Sequence, residues 1–274
     1  MDNLLAIIRG GGDLATGVAW RLSRFGVAVV VTELPQPLTV RRTVALSQAV
    51  HDGAVDVEGL RGELAPTVEA AVELARAGRY KTAAVIVSPG LPDADTVEAD
   101  IVVDARLAKR NIDTSKSDAA LVVGLGPGFT AGEDCHAVVE TMRGHHLGRV
   151  FWSGMAAPNT GVPGVVGGHS SQRVLRAPEA GIVRWDSSIG EMVTAGQQLG
   201  SIDGHAITTP IDGLVRGLVN PGLRVPIGLK IGDVDPRAYP SACREISDKA
   251  LAIGAGVVEA VGWFFRPTAY SGTE

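Results

Sequence analysis

An internal repeat constrains this chain more than any other feature. Laying Ala177 to Asp203 over Thr209 to Asp235 without gaps aligns Pro178 with Pro210, Gly181 with Gly213, Val183 with Val215 and Arg184 with Arg216. Further on, Gly190 meets Gly222, Val193 meets Val225, Gly196 meets Gly228, Gly200 meets Gly232 and Asp203 meets Asp235. The shared residues are mostly Gly and Pro, which set turns, and Val, which fills strands. Each copy reads as strand, turn, strand, Gly turn, strand. Two copies of about 30 residues are too few for a solenoid. They predict a small closed β structure with a pseudo-two-fold axis.

Upstream the texture is different. Leu4 to Ile8 is an apolar strand broken by Gly10-Gly11-Gly12. Leu14, Val18 and Leu22, flanked by Ala15 and Ala19, have helical spacing up to Gly26. Val27 to Val31 is a continuous apolar strand followed by Glu33. Strand, Gly turn, helix, strand, acid is the order of a βαβ unit, and continuous apolar strands suit a parallel sheet covered on both faces. The pattern continues with a helix over Thr67–Arg79, a strand Ala83–Val87 ending in Ser88-Pro89-Gly90, and a strand Ile101–Val103. A strand Ala119–Val123 then runs into Gly124-Leu125-Gly126-Pro127-Gly128, followed by a helix Glu133–Met142 and a strand Arg149–Trp152.

The expected fold is therefore α/β. A Rossmann-like, doubly wound parallel sheet over residues 1–153 is joined by a Gly/Pro-rich connection, 154–172, to a β domain over 173–240. The β domain is similar to the barrel-sandwich hybrid of biotinyl and lipoyl domains. Those domains carry their group on a lysine at the hairpin between the halves. The junction here, Asp203-Gly204-His205-Ala206-Ile207-Thr208, has none, which argues against a swinging-arm carrier. A helical segment over 241–265, interrupted at Gly254-Ala255-Gly256, and a tail over 266–274 complete the chain. The Gly/Ala-rich segment offers a contact for a homo-oligomer.

Composition narrows the function classes. Twenty-five Lys+Arg against 30 Asp+Glu give a net charge of -5, which argues against nonspecific nucleic-acid binding. Cys135 and Cys243 form no disulfide framework, and no His or Cys stands at metal-ligand spacing. No secretory signal is evident, and the longest apolar stretch, Ala250–Phe265, carries Glu259 and falls short of the ~20 residues of a membrane span. The expectation is a cytoplasmic protein without metal, membrane or nucleic-acid partner.

The candidate site lies on the Gly-rich turns. Gly10-Gly11-Gly12-Asp13-Leu14-Ala15 matches Gly-x-Gly-x-x-Ala between strand and helix, where close backbone approach and a helix N-terminus suit a phosphate. Glu33, about 20 residues on, stands where an acid reaches a ribose hydroxyl. The alternative is that these glycines only allow tight helix–strand packing. Asp13 is unusual, because an acid in the first turn competes with phosphate for the same N–H groups. It caps the helix or holds a metal, and Arg9 offsets its charge. Arg41-Arg42 reads equally as a bidentate anion clamp or a solvated pair. Ser88, Gly90, Gly126 and Gly128 sit at strand ends that face the ligand crevice of a parallel sheet. Cys135-His136 at the expected helix start reads as a reactive thiol with an acid–base partner, or as a buried, inert pair.

Several separated motifs carry a family resemblance. They are Ile8 through Gly17, Arg41-Arg42-Thr43, Gly124 through Phe129 with Ala131-Gly132, Val139-Glu140-Thr141 with Arg143-Gly144-His145, and Asn159-Thr160-Gly161. Arg173 through Pro178, Lys230 through Arg237 and Ile246-Ser247-Asp248-Lys249 complete the set. On these the chain resembles the YqeB family of selenium-dependent molybdenum hydroxylase accessory proteins. The resemblance implies a role in the maturation of those hydroxylases and, as partners, a hydroxylase or its cofactor-assembly proteins. It carries no catalytic residues across. Cys135 is not at a motif position, and thiol chemistry would rest on Cys243, just before Ile246–Lys249.

Two readings of different class follow. One is an accessory factor binding a nucleotide-bearing molecule, such as a molybdopterin dinucleotide. The other is an NAD(P)-dependent oxidoreductase, with Glu33 favouring NAD. A pure interaction module, whose Gly turns are only structural, stands behind both.

Overall fold

A computed structural model describes residues 3–161, 164 and 166–266. The first half builds one mixed sheet from β1 (Leu5–Arg9), β2 (Ala28–Glu33), β3 (Ala54–Val57), β4 (Leu60–Leu64), β5 (Thr82–Val87), β6 (Ile101–Asp104) and β7 (Leu121–Leu125), with β9 (Ala137–Val139) and β10 (Val150–Phe151). The order is β10-β9-β7-β6-β1-β2-β5-β4-β3. The seven inner strands run parallel, and β10 and β3 close the two edges antiparallel. β8 (Thr130–Ala131) and β11 (Gly154–Met155) form a separate two-stranded ribbon.

Residues of β1, β2 and β6 alternate between two cores, as the two-residue period of a strand requires. Ala6, Ile8, Val29, Val31, Ile101 and Val103 face one core, and Leu5, Ile7, Ala28, Val30 and Val102 the other. The first core is covered by α1 (Asp13–Arg24), the short α2 (Ala49–Asp52) and α4 (Asp248–Phe264), and the second by α3 (Val68–Ala77) with loops around Phe129 and Ala156. Helix α4 therefore crosses back from the far end of the chain to lie on α1. Glycine makes that approach possible: a Cβ on Gly17 would stand 2.5 Å from the Ala250 carbonyl oxygen, and one on Gly254 2.4 Å from that of Gly17. These glycines do not interrupt the helix, as the sequence suggests; they are where it touches its neighbour. The Gly/Ala face offered for a homo-oligomer is occupied by α1 of the same chain.

The repeat builds two four-stranded antiparallel sheets from β12 (Val174–Arg176), β13 (Gly181–Trp185), β14 (Met192–Val193), β15 (Gln198–Ile202), β16 (His205–Thr208), β17 (Gly213–Leu218), β18 (Arg224–Val225) and β19 (Lys230–Asp235). Their orders are β16-β15-β13-β18 and β12-β19-β17-β14. The copies exchange strands reciprocally: Gly181 pairs with Val225 and Val193 with Gly213.

The expected fold is corrected in both parts. A Rossmann-like doubly wound sheet carries a helix after each strand. Here β5, β6 and β7 are followed by loops, the sheet is mixed, and one face is covered by α4 instead. The expected helix Glu133–Met142 is the parallel strand β9: Asp134 accepts the Thr130 N–H and folds a turn, after which Ala137, Val138 and Val139 are fully buried in the sheet. A free-standing barrel-sandwich hybrid is likewise not the architecture. The antiparallel sheets belong to a larger structure, with β17 laid on the segment after β2, where Arg42 Nε donates to the Leu218 carbonyl and Gln48 pairs with Asn220. All of the expected tail except Arg266 lies outside the described residues.

Candidate functional site

A cleft of about 610 Å3 opens at the C-terminal ends of the parallel strands, between them and the sheet of β17 and β19. Parallel sheets present ligands at this end. Asp13 and Leu14 of α1 stand on one side, Leu125, Pro127 and Arg143 on a second, Arg173, Arg216, Lys230 and Asp233 on a third, and Lys249 of α4 closes it. Eight lysines and arginines line the cleft against two aspartates, in a chain whose net charge is -5.

Most of these cations are held by carboxylates. Asp233, buried on β19, receives Arg173 at 2.5 Å, Arg216 at 3.5 Å and Lys230 at 3.8 Å. Arg237 meets Asp235 at 2.6 Å, Arg41 meets Asp13 at 3.1 Å, and both nitrogens of the Arg143 fork reach Asp248 at 2.6 and 2.7 Å. One buried carboxylate shared by three cations leaves a net positive wall. Burial, with Arg41 nearby, weighs against the charge of Arg216, and Asp233 and Asp235 oppose this. Burial also lowers Lys230, against the pull of Asp233. Burial alone would raise Asp235, but hydrogen bonds from Arg237 outweigh it and hold the carboxyl below its usual range. Asp248 is held down to about 2, chiefly by the hydrogen bond from Arg143. The Nε atoms of Arg41 and Arg216 are buried and have no hydrogen-bond partner among the described residues.

The expected site residues separate into two groups. Asp13, Leu14 and Arg41 line the cleft, and Pro127 lines it between Gly126 and Gly128. A Cβ on Gly126 would meet Thr141 Oγ1 at 2.4 Å, and one on Gly128 the Arg110 nitrogen at 2.4 Å, so both hold the loop against its neighbours. The Gly-rich turn itself is committed to packing. A Cβ on Gly10 would press on Arg106, and one on Gly11 would stand 2.9 Å from the Ser47 nitrogen. Gly12 is open and caps α1 without a side-chain bond. Glu33 accepts the N–H groups of Gly11 and Leu34, each at 2.7 Å. Arg9 is buried, 2.7 Å from Asp113 and 2.8 Å from Thr114 Oγ1. Arg42 serves the docking of β17, and Ser88 bonds the Gly90 carbonyl at 2.9 Å, away from the cleft.

Both cysteines are buried. Burial pushes the Cys135 thiol up to about 11 and raises Cys243 as well. With no helix beginning at Cys135, the dipole expected to activate it is absent, and His136 Nδ1 accepts the Val122 N–H.

Sequence reasoning on turns missed Arg143, Arg173, Arg216, Lys230, Arg237 and Lys249 as a group. All but Arg216 lie in the quoted family motifs, and Arg216 is a repeat position, but no spacing rule joins them.

Fold and cleft together define an α/β protein whose mixed sheet and antiparallel sheets meet at a cation-lined cleft. The chain is 48% identical, over 257 residues and 94% of its length, to a curated Escherichia coli K12 protein named "Uncharacterized protein YqeB". This identity supports membership of the YqeB family. The chain spans 47% of that relative's length. No family model matches the sequence. Among solved structures, a succinylglutamate desuccinylase/aspartoacylase from Rhodobacter sphaeroides matches at 24% identity and a TM-score of 0.22 over 24% of this chain and 22% of that one. An aspartoacylase family protein from Mesorhizobium loti matches at 12% identity and a TM-score of 0.27 over 86% of this chain and 87% of that one. Likenesses this loose say nothing about the cleft.

Proposed function

We propose that the cleft binds a nucleotide-bearing small molecule through its phosphates. We further propose that the protein is a cytoplasmic accessory factor in the maturation of selenium-dependent molybdenum hydroxylases. The observation that carries the first part is the clustering of eight cations along the cleft, against four aspartates that pair with six of them, in a net-acidic chain. A concave site with low-dielectric walls and one sign of charge concentrates ions of the opposite sign. Its volume is within the ~300–1,000 Å3 of small-molecule sites. The second part rests on the family resemblance and on identity to a protein of twice the length. The partner would be a hydroxylase or a protein that assembles its cofactor.

A molybdopterin dinucleotide carries a pyrophosphate linkage, and the donor set fits one. Arg173, Arg216 and Lys230 would hold the phosphates, with Arg41 opposite, its buried Nε without a hydrogen-bond partner among the described residues. Such a group would supply the metal chemistry of the client enzyme. This chain's residues would bind and orient it. For an NAD-type oxidoreductase the expected ribose acid is Glu33, and its two oxygens are taken by backbone N–H groups.

Thermal denaturation with NAD, NADP, ATP, CTP and a molybdopterin dinucleotide separates the readings. A ligand at 100 times its Kd stabilises by about 2.7 kcal/mol. A shift with the molybdopterin species above all others is the expected result. A shift with NAD alone turns the function to the oxidoreductase. No shift with any of them removes the ligand and leaves an interaction module.

A further inference from the structure

Of the cleft's eight cations, six face a carboxylate in the pairs described above. Two do not: Lys109 and Lys249 have no ion pair among the described residues. Lys109 is exposed, on a left-handed turn with φ 63° at the cleft mouth. Lys249 is half-buried inside, on the first turn of α4, and no hydrogen bond or ion pair holds its side chain among the described residues.

Carboxylates stand around Lys249, but each is engaged elsewhere. Asp13 on α1 holds Arg41, and Asp248 on α4 holds Arg143. Glu140, in the segment between β9 and β10, accepts the N–H groups of Met142 and Ala157, one on each oxygen. The remaining charge of that segment facing Lys249 is the Arg143 guanidinium. Helix α4 starts here, and a helix N-terminus disfavours a nearby cation. A partly desolvated lysine next to another cation is the arrangement that makes an amine nucleophilic near neutral pH.

We propose that Lys249 is a reactive amine of the cleft, a nucleophile toward the carbonyl carbon of an anionic ligand. Burial is the largest influence and lowers its pKa from the ordinary lysine value; Asp13, Glu140 and Asp248 oppose this, Arg143 adds to it, and the lowering prevails. The surrounding arginines hold the anion while the free amine faces the same space. In the step, the nitrogen lone pair attacks the carbonyl carbon and a proton passes from nitrogen to oxygen, giving a carbinolamine. Loss of water then leaves an imine. The inference rests on the cleft being a ligand site, but not on that ligand being a nucleotide.

The test uses pyridoxal 5′-phosphate, which brings an aldehyde and a phosphate, on the full chain. Borohydride traps the imine by hydride delivery to carbon, and peptide mass mapping locates the secondary amine. At pH 7, Lys249 is expected to label at least tenfold faster than Lys109 or Lys230. Its rate should rise to a plateau with a half-point below the ordinary lysine value. Lys249→Arg, which keeps the charge and removes the nucleophile, should reduce cleft labelling to the level of surface lysines. Equal labelling across lysines, or label on Lys109 or Lys230 with Lys249 untouched, overturns the inference. Neutral pyridoxal in a parallel arm reads the amine without the phosphate. Selective labelling of Lys249 with no nucleotide shift would sink the nucleotide reading and keep this one. A nucleotide shift with Lys249 inert to both aldehydes would do the reverse.

Discussion

The two copies of the repeat share a strand framework and differ in most of the outward-facing side chains or in what surrounds them. In the first copy Arg184 is exposed, Trp185 donates its indole N–H to the Val219 carbonyl at 2.9 Å, and Gln198 and Ser201 stand on β15. At the matching positions the second copy has Arg216, Gly217, Lys230 and Asp233. Gly217 lets β17 lie directly on the first half of the chain: a Cβ there would stand 2.6 Å from the Val40 carbonyl oxygen. Once docked, Arg216, Lys230 and Asp233 are part of the cleft wall. Duplication supplied the scaffold, and a few side chains made one copy a docking and binding surface. Turn glycines stay alike because both copies need the same backbone, while the outward faces are free to diverge.

The comparison can be broken at single positions. The largest effect should come from Asp233→Asn, which removes the carboxylate shared by Arg173, Arg216 and Lys230. Leaving buried charges unpaired costs about 3–5 kcal/mol, and the matching change Ser201→Ala should cost under about 0.5 kcal/mol. Urea unfolding of both variants checks the contrast. Gly217→Ala should cost about 1–3 kcal/mol by overpacking against Val40, visible as a fall in denaturation midpoint. Arg216→Gln should weaken binding of a phosphate-bearing ligand about tenfold, or ~1.4 kcal/mol, whereas Arg184→Gln should leave it unchanged; titration calorimetry with the ligand that shifts melting decides this.

The smallest effect is on acid stability. Asp248 is ordinarily near 3.8 and is held at about 2 in the folded chain. A depressed carboxyl contributes stability that is present above its unfolded value and lost as pH falls through its folded one. Asp248→Asn should therefore lower the melting temperature at pH 6, with the difference from the parent shrinking between pH 4 and 2. Its carboxylate is largely exposed, so the change should be small and screened by salt.

Local signals were well legible. Apolar runs place β1, β2, β5, β6 and β7 to within a residue or two, period 3.6 places α1, and the segment Thr67–Arg79 contains α3. Glu133–Met142 misled because acids before an apolar run imitate a helix start. In the molecule Asp134 turns the chain, and Val138 and Val139 complete a parallel ladder beside β7. Gly254 and Gly256 read as breakers, because their partners, Gly17 and Gly148, are far away in sequence. The Gly10–Gly12 turn and Glu33 were placed correctly along the chain, yet they bond each other.

Sequence alone determined the α/β beginning, the duplicated β end with its turns, the acidic balance and the family resemblance. Each of these is written in neighbouring residues or in a direct self-alignment. The tertiary structure decided the mixed strand order, the return of α4 onto α1 and the cleft. Arg41, Arg143, Arg216, Lys230 and Lys249 converge only after the chain has closed on itself. Charges gathered from five distant segments leave no periodicity to read, and their effect depends on burial and on which carboxylates are already engaged.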